Sequence, residues 1–86
     1  MKIEKKTDRD LFEKVLSGDK KFELRLADWE CKPGDILVLR EVDTKTRKYT
    51  GRVLEKEVAY VLKTKDLQFF SKEDIDKHGF QVISLK

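Results

Sequence analysis

The sequence predicts a small α+β domain in which a curved β-sheet can close on itself. Three observations predict it: an amphipathic helical stripe near the N-terminus, a switch to alternating periodicity directly after it, and turn signals between the later apolar runs. The chain has 86 residues and contains no repeat or linker, so we expect one domain over residues 1–86. A domain of this size buries only about 60% of its unfolded surface, so its core is small.

The first predicted element is a helix over residues 8–16. Thr7 followed by Asp10 resembles a capping box that would start it. The apolar side chains that recur at helical spacing are Leu11, Phe12, Val15 and Leu16. Gly18 stands where a left-handed C-terminal residue is needed, so the helix is expected to end there.

A strand is predicted directly after this helix, because the period changes from helical to alternating. The apolar side chains that alternation directs toward the core are Phe22, Leu24 and Leu26. Glu23 and Arg25 then share the other face, roughly 7 Å apart at the backbone, and Lys20 approaches from the preceding turn. Three charges that converge at one junction predict a polar cleft.

Turn signals place the next two strands. Residues 33–35 (Pro-Gly-Asp) precede an apolar run at residues 36–39, which predicts a buried strand. Residues 43–51 are polar and are expected to form a long hairpin loop. Residues 52–62 alternate well enough to form the returning strand, with its apolar side chains on one face.

The C-terminal part is predicted to cover the core. Ser71 can cap a short helix that ends at His78 before Gly79, and residues 80–85 are expected to form a last strand. The aromatic side chains assigned to the core or to its cover are Phe12, Phe22, Tyr60, Phe69, Phe70 and Phe80.

Positive charge is concentrated in the second half of the chain. The net charge is +3, yet residues 44–65 alone carry seven basic and two acidic side chains. Clustered positive charge attracts polyanions, so RNA or a nucleotide is a candidate partner, while a solvated basic hairpin explains the same pattern. The candidate phosphate contacts of this hairpin are Lys45, Arg47, Lys48 and Arg52.

The abundance of Lys and Glu is typical of thermophilic proteins and of many ordinary small proteins.

Several functional classes are disfavoured by composition. Cys31 is the one cysteine and His78 the one histidine, which excludes an internal disulfide and disfavours a zinc site, so no metal or cofactor is expected. The sequence has no apolar run of about 20 residues and no signal-peptide pattern. We therefore expect a cytoplasmic protein without a membrane partner, and we expect a monomer.

A short motif, GxKxxExR, follows the predicted helix; its residues are Gly18, Lys20, Glu23 and Arg25. It resembles the ASCH domain family, and residues 33–41, 49–52 and 58–62 are similar to sequence segments of the small prokaryotic single-domain branch of that family. The resemblance covers most of the chain. It implies a PUA-like β-barrel with a curved mixed sheet, an N-terminal helix and a short helix before the last strand.

The resemblance also implies an RNA- or nucleotide-binding cleft beside the motif. The candidate ligand-binding residues are Lys20, Glu23, Arg25, Trp29, Arg40, Lys48, Tyr49 and Arg52. Lys and Arg suit a phosphate, Glu can fix the guanidinium, and Trp29 and Tyr49 can stack on an unpaired base. The alternatives are a structural ion-pair network at the motif, core packing for Trp29 and a solvated Arg40.

An enzymatic function is the alternative hypothesis. Some small ASCH proteins are amidohydrolases that deacylate N4-acetylcytidine with the motif Lys, a distant Glu, and a Thr where this chain has Glu23. Because the Thr hydroxyl is missing here, that mechanism does not transfer intact, and binding without catalysis is the favoured hypothesis. If the protein is an enzyme, Lys20 and Glu23 are the expected proton-transfer groups. An adaptor that binds another protein is a third hypothesis.

Overall fold

The computed structural model describes residues 1–86 with the exception of the Asp66 side chain. Its strands are β1 (Lys2–Asp8), β2 (Ile36–Val42) and β3 (Tyr49–Glu57). Its helices are α1 (Arg9–Ser17) and α2 (Lys72–His78), and a 3₁₀ turn spans Thr64–Asp66. The fold is α+β, as the sequence predicts.

The three strands form one open, mixed sheet in the order β1-β2-β3. β1 runs parallel to β2, from Lys2 opposite Ile36 to Asp8 opposite Val42. β3 runs antiparallel to β2, and the register shifts between Arg40 and Val42. β2 is therefore the central strand, which explains why the apolar run that predicts it is mostly buried.

The core lies between α1 and one face of the sheet. Its buried members are Phe12, Val15, Leu37, Leu39 and Val58. Phe12 and Val15 belong to the helical stripe that predicts α1, and Leu37 and Leu39 lie two residues apart on β2, so both pairs face one side. This small core holds α1 against the sheet, and the first turn of α1 directly follows the end of β1.

The prediction of α1 is confirmed to within one residue at each end, but its predicted cap is wrong. Thr7 lies in β1, and Asp8 is the N-cap residue without a side-chain hydrogen bond to the helix. The C-terminal end is as predicted: Gly18 has φ of 88°, and its N–H donates to the carbonyl of Val15 at 3.2 Å.

Strand β1 has no counterpart among the elements that the sequence predicts. Its residues are mostly charged, and Ile3 is its one large apolar side chain, so no alternating pattern marks it. The strand exists because its backbone pairs with β2 along its whole length. This pairing is a long-range interaction that local periodicity does not reveal.

The segment after α1 differs from its prediction. Residues 22–26 form no regular strand, and Leu24 and Leu26 are 71% and 81% exposed, so their predicted orientation toward the core is wrong. The segment is tied to the fold through side chains instead. The guanidinium of Arg25 donates to the Lys6 carbonyl at 2.9 Å, and the Lys21 N–H donates to the Ser84 hydroxyl at 2.8 Å.

The returning strand and the C-terminal cover also differ from the prediction. β3 begins at Tyr49 and ends at Glu57, earlier at both ends than the predicted 52–62. The exposed aromatic side chains that were predicted to cover the core are Tyr60, Phe69, Phe70 and Phe80. Phe70 packs edge-on against the other two phenylalanines, with centroids 6.0 and 6.4 Å apart, so these rings contact one another on the surface.

Helix α2 is confirmed. The Ser71 hydroxyl accepts a hydrogen bond from the Asp74 N–H at 3.1 Å, and the helix ends at His78 before Gly79. The prediction of a last strand over residues 80–85 is wrong, because these residues follow α2 without regular strand structure. In the part of the chain that the structure describes, no helix has the length and apolar character needed to cross a bilayer.

Candidate functional site

A cleft of about 760 Å³ lies between the end of β1, one side of α1 and the segment that follows α1. The basic residues that line it are Lys6, Lys14, Lys20, Arg25 and Arg47. The carboxylates that line it are Asp8, Asp19 and Glu23. Cations therefore exceed carboxylates by two, which makes the cleft attractive to an anion.

The end of α1 positions Lys20 at this cleft. The left-handed Gly18 reverses the chain, and the Lys20 N–H then donates to the carbonyl of Lys14 at 2.9 Å. The reversal places the Lys20 side chain on the cleft wall, where only 12% of it is exposed. The left-handed conformation of Gly18, which begins the motif, therefore determines where Lys20 lies.

The structure brings Lys20, Glu23 and Arg25 together, as the sequence predicts. Lys20 Nζ donates to Glu23 Oε1 at 2.7 Å, and Arg25 Nε donates to Glu23 Oε2 at 2.9 Å. Each carboxylate oxygen of Glu23 therefore holds one cation. Glu23 is 19% exposed, so this arrangement fixes two positive groups close together at the edge of solvent.

Arg25 also links the cleft to β1. Its Nη2 donates to the Lys6 carbonyl at 2.9 Å and to the Thr7 hydroxyl at 3.2 Å. Its Nη1 makes no hydrogen bond with any residue that the structure describes. Arg25 is consequently held in place by three bonds while part of its guanidinium stays available to a ligand.

The hairpin between β2 and β3 contributes Arg47 to the same cleft. Arg47 has a left-handed backbone with φ of 60°, and its Nη1 donates to Asp8 Oδ1 at 3.0 Å. The turn is held by Asp43 Oδ1, which accepts the N–H groups of Lys45 and Thr46 at 2.9 Å each. These backbone hydrogen bonds lower the pKa of Asp43, because they stabilise its charged carboxylate.

The other predicted site residues lie outside the cleft. Trp29 packs at the margin of the core with Lys5 Nζ 3.8 Å from its ring centroid, and Lys48 is exposed in the hairpin. Arg40 and Tyr49 contact each other on the sheet face opposite α1. The structure thus groups the motif residues and separates them from these four.

Arg52 belongs to a network between α1 and the sheet. Its Nε and Nη2 donate to the two oxygens of buried Glu41 at 3.0 and 2.7 Å, and Nη2 also donates to Glu13 of α1. The Thr50 hydroxyl donates to Glu41 at 2.6 Å. Hydrogen bonds from Arg52 and Thr50 lower the pKa of Glu41 to about 2. We therefore assign Arg52 to the contact between α1 and the sheet.

This network predicts a pH dependence of stability. Because folding lowers the pKa of Glu41 from 4.5 to about 2, its contribution is complete above pH 4.5 and is lost as pH falls toward 2. We expect the free energy of unfolding of Glu41→Gln to depend less steeply on pH over this window than that of the unaltered protein. Urea titrations at several pH values measure it, and identical pH slopes would contradict the assignment.

The Cys31 thiol is poorly suited to act as a nucleophile. Burial, and then the nearby Asp35 carboxylate, raise the pKa of the Cys31 thiol, so it stays protonated at neutral pH and is a poor nucleophile. Among the described residues, no three His, Cys, Asp or Glu side chains converge so as to hold a metal ion.

Three cleft residues on β1, Lys6, Thr7 and Asp8, were not predicted as site residues, because the sequence does not predict that strand. No apolar period marks that strand, so no local signal could have revealed them. Arg47 was predicted as a phosphate contact of the hairpin, but its place beside Asp8 depends on the turn geometry.

Comparison with known proteins gives one match. The model of a family described as a domain of unknown function, DUF3850, matches residues 3–74. The matched span contains every residue that lines the cleft. No curated protein and no solved structure matches the chain.

Proposed function

The chain belongs to the DUF3850 family, and from that premise we propose that it is a module that binds RNA or a nucleotide in the cleft beside Lys20, Glu23 and Arg25. One observation carries the proposal: the carboxylate of Glu23 holds an ammonium and a guanidinium side by side in a cleft with excess positive charge. A phosphate group is the ligand that such a pair suits best.

The cleft also offers an apolar surface for a base. Leu11, Phe22 and Leu24 line it together with the charged groups, and Leu11 and Leu24 are at least half exposed. Lys20 Nζ lies 5.0 Å from the centroid of the Phe22 ring, so charge and apolar surface are adjacent. A nucleotide combines an anionic phosphate with a flat apolar base, and this lining suits both parts.

The proposal extends to the fold. We propose that the domain is related to the PUA-like β-barrels of the ASCH family, because GxKxxExR directly follows a helix here and begins with its left-handed glycine. The Lys21 N–H donates to the Ser84 hydroxyl, so the segment after α1 contacts the C-terminal segment, as two strands of a closed barrel would. Exposed Leu26 and Ile83 are side chains that closure would bury.

Equilibrium binding tests the proposed function. Purified protein freed of nucleic acid is titrated into fluorescently labelled single-stranded RNA and into a labelled mononucleotide, each at about 50 mM and about 200 mM salt. For two or three phosphate contacts on a single strand, affinity for the RNA falls about tenfold between these concentrations. An absence of saturable binding to either ligand at the lower salt concentration would refute the proposal.

A second candidate function is hydrolysis of an acylated nucleoside, and the contact between Lys20 and Glu23 favours it. Their 2.7 Å hydrogen bond is mostly shielded from solvent, and such a pair can exchange a proton during hydrolysis. With N4-acetylcytidine and water the products would be cytidine and acetate. Incubation followed by chromatography detects them, and Lys20→Ala is expected to abolish their release. Lack of turnover by the unaltered protein would exclude this substrate.

A further inference from the structure

The sheet face opposite α1 carries an aromatic ring close to two cations. Tyr49 lies opposite Val42 in the sheet, and its centroid is 3.7 Å from the Arg40 guanidinium carbon and 5.8 Å from Lys6 Nζ. Lys6 and Arg40 are themselves register partners in β1 and β2, so they share this face. The ring is 45% exposed, which leaves part of its surface free for a ligand.

Lys6 connects this ring to the cleft. Its carbonyl accepts a hydrogen bond from Arg25 in the cleft, and its ammonium group approaches Tyr49, so this residue borders both places. Arg47 lines the cleft as well and precedes Tyr49 by two residues in the hairpin. Positive charge therefore continues from Lys20 and Arg25 over the end of β1 to the outer face of the sheet.

We propose that the RNA ligand is single-stranded and extends from the cleft across Lys6, with one of its bases stacked on Tyr49. This inference rests on the proposed function. A base can stack on a protein ring only when its own faces are free, and in a duplex they are covered by neighbouring bases. Arg40 holds the Tyr49 ring in place from one side, while Lys6 provides a positive charge for the backbone phosphate between the two places.

If the strand reaches Tyr49, its affinity depends on the length of the ligand. A ligand confined to the cleft gains nothing from additional nucleotides beyond charge, whereas a strand that reaches Tyr49 gains a stacked base. The effect of removing the ring should therefore depend on the length and strandedness of the ligand.

The experiment compares Tyr49→Ala with Tyr60→Ala. Tyr60 is also an exposed tyrosine, 75% accessible, and it lies outside both the cleft and the sheet. The ligands are uridine monophosphate, single-stranded pentauridylate, and a longer RNA duplex in which the same five uridines are base-paired. We expect Tyr49→Ala to weaken pentauridylate binding about tenfold, in the range of one base–aromatic stack, and to leave the monophosphate unaffected. Tyr49→Phe should bind as the unaltered protein does.

Two results would overturn the inference: equal pentauridylate affinity of the Tyr49→Ala and Tyr60→Ala variants, or binding of the duplex as tight as that of the single strand. These results are distinguishable from failure of the proposed function. If the proposed function fails, a Lys20→Ala plus Arg25→Ala variant would bind uridine monophosphate as the unaltered protein does. If that variant loses monophosphate binding while Tyr49→Ala binds pentauridylate normally, the cleft is the binding site, and the proposal that the strand extends to Tyr49 is wrong. Circular dichroism confirms that each variant is folded.

Discussion

Replacing Lys20 and Arg25 together by alanine is expected to weaken RNA binding about 100-fold and to change the melting temperature little. Each side chain offers a charge-assisted hydrogen bond, and such a bond contributes about 1.5–3 kcal/mol. Since about 1.4 kcal/mol corresponds to a tenfold change in affinity, the low end for two contacts gives about 100-fold. The folded state should persist because neither residue belongs to the buried core, and loss of the Arg25 hydrogen bonds to Lys6 and Thr7 releases only the segment after α1 from β1.

A charge-matched control separates the cleft from general electrostatic attraction. Lys72→Ala with Lys77→Ala removes the same charge from exposed positions of α2, which lies outside the cleft. Equal weakening by both double variants would show that the cleft has no special role, and unchanged affinity of the first would refute the site. If that variant melts early, Lys20→Gln alone, whose partner is Glu23, should weaken binding about tenfold.

Phe12→Ala is expected to destabilise the domain by about 3–5 kcal/mol, the usual cost of removing a buried phenylalanine. Phe12 is 2% exposed and packs against the central strand. A domain of ordinary stability has roughly 5–15 kcal/mol in total, so this substitution removes a large part of it. Thermal unfolding followed by circular dichroism measures the effect, and the melting temperature should fall by at least about 12 °C.

Phe69→Ala is the matched control, since the same substitution is made where the ring is 84% exposed. We expect its effect to stay within about 0.5 kcal/mol, as for surface substitutions in general. A cost equal to that of Phe12→Ala would contradict the open arrangement of the C-terminal aromatic rings. It would then favour the closed PUA-like barrel, in which these rings could cover the core.

The candidate site shows how far local sequence signals reach. Lys20, Glu23 and Arg25 lie within six residues of one another after a left-handed glycine, so their convergence could be predicted from the chain alone. Arg52 shows the opposite case. It was predicted as a phosphate contact, but its partners Glu41 and Glu13 lie 11 and 39 residues away, and only the folded chain brings them together.

The sequence by itself determined the elements whose signals are local: α1 with its terminal glycine, the apolar strand β2, the capped helix α2, and the charged motif. Only the tertiary structure decided that Lys2–Asp8 is a strand, that residues 22–26 are not, and that Lys6, Thr7 and Arg47 complete the cleft. The physical reason is the range of the interactions. A helix and its caps are stabilised by bonds between near neighbours, whereas β1 exists through its pairing with β2, 34 residues along the chain.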